Sequence, residues 1–237
     1  MKPYVCMLLA ASALANPKVV VLVSANAEWA EVKKLHPKAT YQKGPYGEYF
    51  YLRKDVLIAQ GGWGKISAAA SAQYAIDRWN PATIVNLGTC GGIAGRVERY
   101  AILAVTRTIV YDIVEQMGDP AEAIGFYSTE IDLSWSGDLP GIRTPLLSAD
   151  RDLIPQDIPA LTKRYNVIAV DWESGAIAWV ARRNQKRVVI LRGVSDLVSP
   201  ESGGQAYGGT GEFESGAARV MQDLFQRLPS WLAKLPR

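Results

Sequence analysis

Two carboxylates and a tryptophan interrupt an apolar run in "VIAVDWESGAIA", residues 167–178. Asp171 and Glu173 stand where strand-like patterning gives way to helical spacing, and charged groups in such places need a partner or a task. Asp196 closes a second apolar run, "RVVILRGVSD", with Arg192 four residues before it. On a regular strand that spacing puts both side chains on one side. Glu28 and Glu31 follow a third run, "KVVVLVSA". The one histidine, His36, lies in a Lys-rich polar stretch before Pro37, so acid–base chemistry would fall to carboxylates helped by Arg, Lys or Tyr. Neither a His-based metal site nor a cofactor is expected. Cys6 and Cys90 form no disulfide framework and no CxxC pair.

Each acid also has a plainer explanation. Asp171 would serve as a helix N-cap and Glu173 would suit the helix dipole, although neither accounts for the tryptophan between them. Asp196 would serve in a turn. "LGTCGG" (87–92), with Gly88 and Thr89, reads as a strand end whose backbone can approach a ligand and offer N–H groups to an anion or sugar oxygen, or as a tight turn. "GGWGK" (61–65) has the same character, with Lys65 as an exposed first-turn lysine. "SGGQAYGGTGEF" (202–213), which carries Tyr207, fits a lid and a flexible loop equally well.

The elements that must hold these groups alternate. Strands are expected at 18–25, 82–89, 101–112, 167–171 and 187–196, with a strand pair around Gly44-Pro45 within 40–60. Helices are expected at 28–35, 64–79, 174–183 and 212–228. This predicts an α/β three-layer sandwich with a mixed, mostly parallel central sheet. The polar residues after the first, second, fourth and fifth of those strands would converge, because open α/β sheets bind ligands at the carboxyl ends of their strands. With 237 residues, 49% hydrophobic and 21% charged, the chain suits one domain over 18–237. Residues 1–17 read as an N-terminal extension or a signal-like segment ending near Ala13-Leu14-Ala15. A net charge of +3 without a basic run gives no reason to expect a nucleic acid, and no stretch is long enough for a membrane-spanning helix.

Together the segments "GGWGKISAAASAQYAIDRWNPATIVNLGTCGGIAG" and "IAVDWESGAIAWVARRNQKRVVILRGVSD" resemble the purine nucleoside phosphorylase/uridine phosphorylase superfamily, and within it the methylthioadenosine/S-adenosylhomocysteine nucleosidases. The second segment carries the likeness to that family's "V-E-M-E-A-x-A-I-A" and "V-R-x-[IV]-S-D" signatures, in order and with matching spacing. The resemblance implies a nucleoside phosphorylase-like fold and hydrolysis of the N-glycosidic bond of a purine nucleoside. The implied substrate is 5′-methylthioadenosine, S-adenosylhomocysteine or a related 5′-substituted adenosine. A phosphate-using purine nucleoside phosphorylase and a non-catalytic nucleoside-binding protein are the alternatives.

By the same resemblance, Asp196 is the acid that protonates the departing purine, and Glu173 binds the ribose hydroxyls. Trp172 replaces a methionine that packs on the sugar or base, and Arg192 positions the water and the acids. The water-activating glutamate is Glu28, nearer the strand end than Glu31. Gly88 and Thr89 belong to the substrate pocket, as do Asp152, Leu153 and Tyr207. Asp152 stands where a base-stacking aromatic is usual, so stacking there is lost. The loop "SANAEW" offers no cation for phosphate and carries a carboxylate that would repel it. The stretch 115–145 is expected to build the 5′ end of the pocket, with Trp135 or Tyr111 either in the core or in a contact between subunits. The resemblance further implies a cytoplasmic homodimer acting on a small nucleoside, export being the alternative read from the first 15 residues.

Overall fold

The computed structural model describes residues 16–139 and 141–235; the signal-like segment up to residue 15 lies outside them. Eleven strands and six helices follow in the order β1 (Val19–Val23), α1 (Asn26–Leu35), β2 (Gln42–Gly44), β3 (Gly47–Arg53), β4 (Val56–Gln60), α2 (Gly64–Trp79), β5 (Thr83–Ile93), β6 (Ile102–Val110), α3 (Pro120–Tyr127), β7 (Thr129–Glu130), β8 (Ile142–Ser148), α4 (Ile158–Tyr165), β9 (Ala169–Asp171), α5 (Ser174–Arg183), β10 (Arg187–Ser199), β11 (Gly203–Gly204) and α6 (Thr210–Lys234).

The apolar run of β1 is buried at every position because parallel neighbours, β4 and β5, flank it on both sides. The longest pairings, β5 with β10 and β6 with β8, are also parallel, whereas the antiparallel pairs, β2–β3, β3–β4, β5–β9, β6–β7, β6–β10 and β10–β11, are shorter. Two helix pairs, α1 with α6 and α2 with α5, supply the helical layers. α2 buries Ala68, Ala72, Ala75, Ile76 and Trp79 along one stripe and ends at Asn80, whose left-handed backbone (φ 45°) closes the last turn. The expected α/β architecture is present, and 64–79 and 174–183 are helices at the expected bounds.

Three features differ from expectation. The glycines of 88–92 do not form a turn; they continue β5, which stays paired with β10 as far as Ile93. The C-terminal helix runs past Leu228 and through Pro229, because Trp231, Leu232 and Leu235 extend its buried stripe. Finally, the sheet is not open throughout. β10 pairs with both β5 and β6, while β6, β8, β9 and β5 pair in turn, so five strands close on one another.

That closure sets the positions of the acids. Asp196 of β10 lies opposite Gly91 of β5, and Gly91 lies opposite Val170 of β9, next to Asp171. Adjacent strands are about 4.8 Å apart, so residues 25 positions apart in sequence become near neighbours. A β-bulge between Val194 and Asp196 shifts the register of β10 by one residue. Arg192 and Asp196 therefore do not keep the same-side relation that a regular strand would give them. Arg99 Nε donates to the Ser195 carbonyl at the bulge (2.8 Å), and Gly216 of α6 approaches that carbonyl so closely that no Cβ would fit.

No helix among the described residues is long and apolar enough to cross a membrane. Packing around the β5 glycines gives a direct test. A Cβ at Gly92 would lie 2.6 Å from Val194 Cγ1, 2.7 Å from Val97 Cγ1 and 2.9 Å from Leu197 Cδ2. Gly92→Ala is expected to lower stability by about 1–3 kcal/mol through overpacking, read as a reduced urea midpoint at unchanged m-value.

Candidate active site

Strand ends β1, β5, β9 and β10 open onto a cavity of about 610 Å³. Beneath it lies Arg192, a fully buried side chain. Its Nε donates to Asp171 Oδ2 at 2.7 Å and its Nη2 to Asn86 Oδ1 at 2.6 Å. Asn86 is oriented in turn by donating its amide to the Leu22 carbonyl of β1 (3.0 Å). Asp171 also accepts from the backbone N–H (3.2 Å) and hydroxyl (2.8 Å) of Ser174, so it serves the start of α5 and the arginine together. Nη1 alone has no hydrogen-bond partner among the described residues.

Glu28 reaches the same place from α1. Its carboxylate accepts from the Thr89 N–H (2.6 Å) and Thr89 Oγ1 (2.8 Å), and folds back on the Ala25 N–H (3.0 Å). A side chain at Gly88 would collide with Arg192 Nη1 and lie 2.8 Å from Glu28 Oε1. Guanidinium and carboxylate thus share the space that a Cβ at Gly88 would fill. Glu31, on the same helix, is turned away and pairs with Lys34.

Glu173 is buried and accepts from the Gly64 N–H of α2 at 3.1 Å. Burial pushes its pKa up to about 8; Arg192 opposes the shift, while Asp171 and Glu28 reinforce it. Of the three carboxylates near the guanidinium only Asp171 bonds it directly, and Glu173, whose pKa is pushed up to about 8, is the one that keeps its proton at neutral pH. Asp196 is a separate case. Burial raises its pKa against the opposing effects of the Ser195 hydroxyl, which donates to Asp196 Oδ1 (2.6 Å), and of Arg99. Asp152 and Glu212 add to the rise.

Asp152 and Leu153 line the cavity together with Asp196. Tyr207, from the glycine-rich segment before α6, donates its hydroxyl to the Leu153 carbonyl at 2.5 Å. Trp172 stacks on Trp63, with ring centroids 5.1 Å apart and planes 27° apart, and both indoles line the cavity.

Of the residues singled out from sequence, Glu28, Thr89, Asp152, Leu153, Trp172, Glu173, Asp196 and Tyr207 border the one cavity. Gly88 and Arg192 lie beneath it rather than on its wall, and Thr89 gives both its donors to Glu28, so neither is free for another anion. Lys65 is paired with Asp112 instead of standing exposed. No part of 115–145 is among the lining residues, contrary to expectation. Trp135 packs against the core with the Arg187 guanidinium 5.1 Å from its ring centre, and Tyr111 packs against the second apolar cluster. His36 sits between Phe50 and Phe225, away from the cavity, and burial lowers its pKa.

Sequence reasoning missed Trp63, Asn86 and Phe213. Asn86 carried a signal, a lone amide inside "ATIVNLGT"; Phe213, which lines the cavity from α6, carried none. Among the described residues no group of three or more His, Cys, Asp and Glu side chains is arranged to hold a metal ion.

Comparison with known proteins places these features in context. The family model described as Phosphorylase superfamily matches residues 14–150. A 5′-methylthioadenosine/S-adenosylhomocysteine nucleosidase of Thermotoga maritima is 25% identical over 167 residues, covering 70% of this chain and 74% of the relative. One from Buchnera aphidicola is 26% identical over 196 residues, covering 76% and 84%. Among solved structures, a nucleosidase of the same name from Helicobacter pylori superposes with TM-score 0.75 at 15% identity, over 93% of this chain and 100% of its own. The futalosine hydrolase of that organism superposes equally well, at 16% identity over 93% and 99%. At such identities the superpositions speak for a shared fold.

The buried guanidinium yields a stability test. Arg192→Leu leaves Asp171 without its cation, and breaking a buried pair in this way costs about 3–5 kcal/mol. Denaturant midpoints should fall accordingly near neutral pH. The deficit should narrow as the pH is lowered, because protonation discharges the carboxylates that have lost their cation.

Proposed function

This chain belongs to the Phosphorylase superfamily, and from that premise we propose that it hydrolyses the N-glycosidic bond of a purine nucleoside substituted at its 5′ carbon. The observation that carries the reading is that Glu28, Glu173 and Asp196 border one cavity in three different environments. The names of the relatives support a 5′-thio-substituted adenosine, the class to which 5′-methylthioadenosine and S-adenosylhomocysteine belong.

As the bond between C1′ and the base breaks, its electron pair moves to the purine and the sugar becomes cation-like. Asp196 delivers a proton to N7 and neutralises the departing base. Its raised pKa supports this role, because the acid has to hold that proton near neutral pH. Water adds to C1′ and gives a proton to Glu28, whose carboxylate is held by Thr89. The unpartnered Nη1 of Arg192, at the space it shares with Glu28, supports a place for that water. Glu173 accepts from the 2′- and 3′-hydroxyls of the ribose. The products are free base and ribose, and atoms balance with one water consumed.

Phosphorolysis is the less favoured reaction, since a phosphate at C1′ would meet the Glu28 carboxylate and be repelled by it. The same reading takes a cytoplasmic homodimer as the working form. Exposed apolar residues such as Ile66, Val114 and Met117 support a contact between subunits.

Two outcomes are expected. Asp196→Asn should stay folded and lose about 10²- to 10⁴-fold in base release, the usual contribution of a general acid. In the parent enzyme, base release should decline as the pH rises through the pKa of Asp196 and proceed equally with and without phosphate, yielding ribose; strict dependence on phosphate would overturn hydrolysis. Secondly, a non-hydrolysable nucleoside should expel the proton from Glu173 when its diol binds. Calorimetry at pH 7 in buffers of differing ionisation heat should show up to one proton released, and a 2′,3′-dideoxy analogue should release none.

A further inference from the structure

We infer that the turn 99–101 clamps the bulge that carries Asp196, and that Arg99 serves there as a positioning residue, its charge divided between the acid and Glu212. The inference rests on the hydrolase reading above and adds a residue to its machinery. Three consecutive residues hold the bulge. Arg99 Nε donates to the Ser195 carbonyl (2.8 Å), the Tyr100 N–H donates to the Val194 carbonyl (2.9 Å), and the Val194 N–H donates to the Ala101 carbonyl (3.0 Å). Tyr100 takes a left-handed backbone (φ 69°) within this turn. A bulky residue rarely adopts that conformation, and such strain persists only where surrounding contacts fix it. From the other side Gly216 of α6 presses on the Ser195 carbonyl, where a Cβ would lie 2.3 Å from the oxygen.

The clamp also carries charge to the acid. Arg99 Nη1 pairs with Glu212 Oε1 (2.5 Å) in the first turn of α6. One guanidinium thus ties the bulge of β10 to the helix whose Thr210, Phe213 and Glu214 border the cavity. Asp196 meets Arg99 as a nearby cation, Asp152 from the connection after β8 and Glu212 from α6. Cys90 of β5 and Tyr207 also feel its charge, and burial raises the pKa of both, so they stay neutral. Glu28 and Glu173 border the cavity from α1 and the start of α5, and their charge acts on Arg192. Removing the Arg99 cation therefore leaves Asp196 among acids. Removing Glu212 leaves it the whole of the arginine's charge. The two changes act on one proton in opposite directions, which a purely bracing role would not produce.

The test follows base release from 5′-methylthioadenosine against pH for the full chain and for Arg99→Gln, Arg99→Lys, Glu212→Gln and the double variant Arg99→Gln/Glu212→Gln. Base release falls as the pH rises through the pKa of Asp196. In Arg99→Gln that limb should move up by about 0.5–1 pH unit, and in Glu212→Gln down by about as much. The double variant should return close to the parent, and Arg99→Lys, which keeps the charge, should keep the parent limb. Arg99→Gln should also lose about tenfold in kcat with KM changed by no more than about twofold, because the bulge is held less firmly. Glu212 is exposed, so its variant reads the sign even where Arg99→Gln fails to fold. Limbs that move in the same direction, or stay still, overturn the inference. So does an Arg99→Lys limb displaced as far as that of Arg99→Gln. An NMR titration of isotope-labelled aspartate carboxyls, with Asp196 assigned through Asp196→Asn, reads the same shifts without turnover. If no nucleoside is hydrolysed, the hydrolase reading fails, and that titration still decides whether Arg99 and Glu212 act on the acid.

Discussion

One guanidinium holds the site together. Arg192 is buried without solvent and cannot discharge, so its surroundings must supply negative charge and hydrogen-bond acceptors, and they do so from three separate elements. Asp171 and Asn86 take its hydrogen bonds, and Glu28 comes within the space it occupies over Gly88. Each of these groups has a second anchor: Ser174 for Asp171, Leu22 for Asn86 and Thr89 for Glu28. The result is a network in which moving any one member leaves another buried and unpaired, which costs more than the network gains in net stability. A carboxylate fixed in this way is preorganised before any ligand arrives, which is how buried electrostatics lower a reaction barrier.

The backbone makes the network possible by leaving side chains out. Glycines in a strand interior weaken it unless something occupies the room they leave. Here Gly88 makes room for Arg192 and Glu28, and Gly193 and Gly216 let β10 and α6 approach, since a Cβ at either would strike Val220 or the Ser195 carbonyl. The closed path of five strands then draws the ends of β5, β9 and β10 into one neighbourhood.

The parts of this arrangement that depend on local pattern were legible in the sequence. The buried run of β1, the alanine-rich stripe of α2 and the start of α5 each announce themselves within a dozen residues. So did the principal acids, because Asp171, Glu173 and Asp196 interrupt apolar runs. What could not be read depends on long-range pairing. The closure of the sheet requires β10 to meet both β5 and β6, and nothing in their own residues says so. β8 and α4 were not anticipated, because β8 lies among irregular residues and α4 is only eight residues long, whereas β9 falls within the strand expected at 167–171. Trp63 passed unnoticed because "GGWGK" drew attention to its glycines and lysine, and only the fold brings that turn beside Trp172. Glu28 was preferred to Glu31 only for its nearness to the strand end; in the fold both acids are buried, but one faces Thr89 and the other Lys34.

The bulge in β10 explains how acids so close together come to lie in different environments. On a regular strand Asp196 would point to the side of Arg192 and take a share of its charge, and a carboxyl beside a buried guanidinium loses its proton readily. The extra residue at Ser195 turns Asp196 away from it. There the nearby cation is Arg99, which also bonds the Ser195 carbonyl and pairs with Glu212 at the start of α6. Arg99 therefore gives Asp196 less than an undivided charge, and burial prevails in raising its pKa. One residue inserted in one strand thus separates a carboxyl whose pKa burial raises from an arginine-bound set; divided environments of this kind are how sites push the pKa values of neighbouring acids apart.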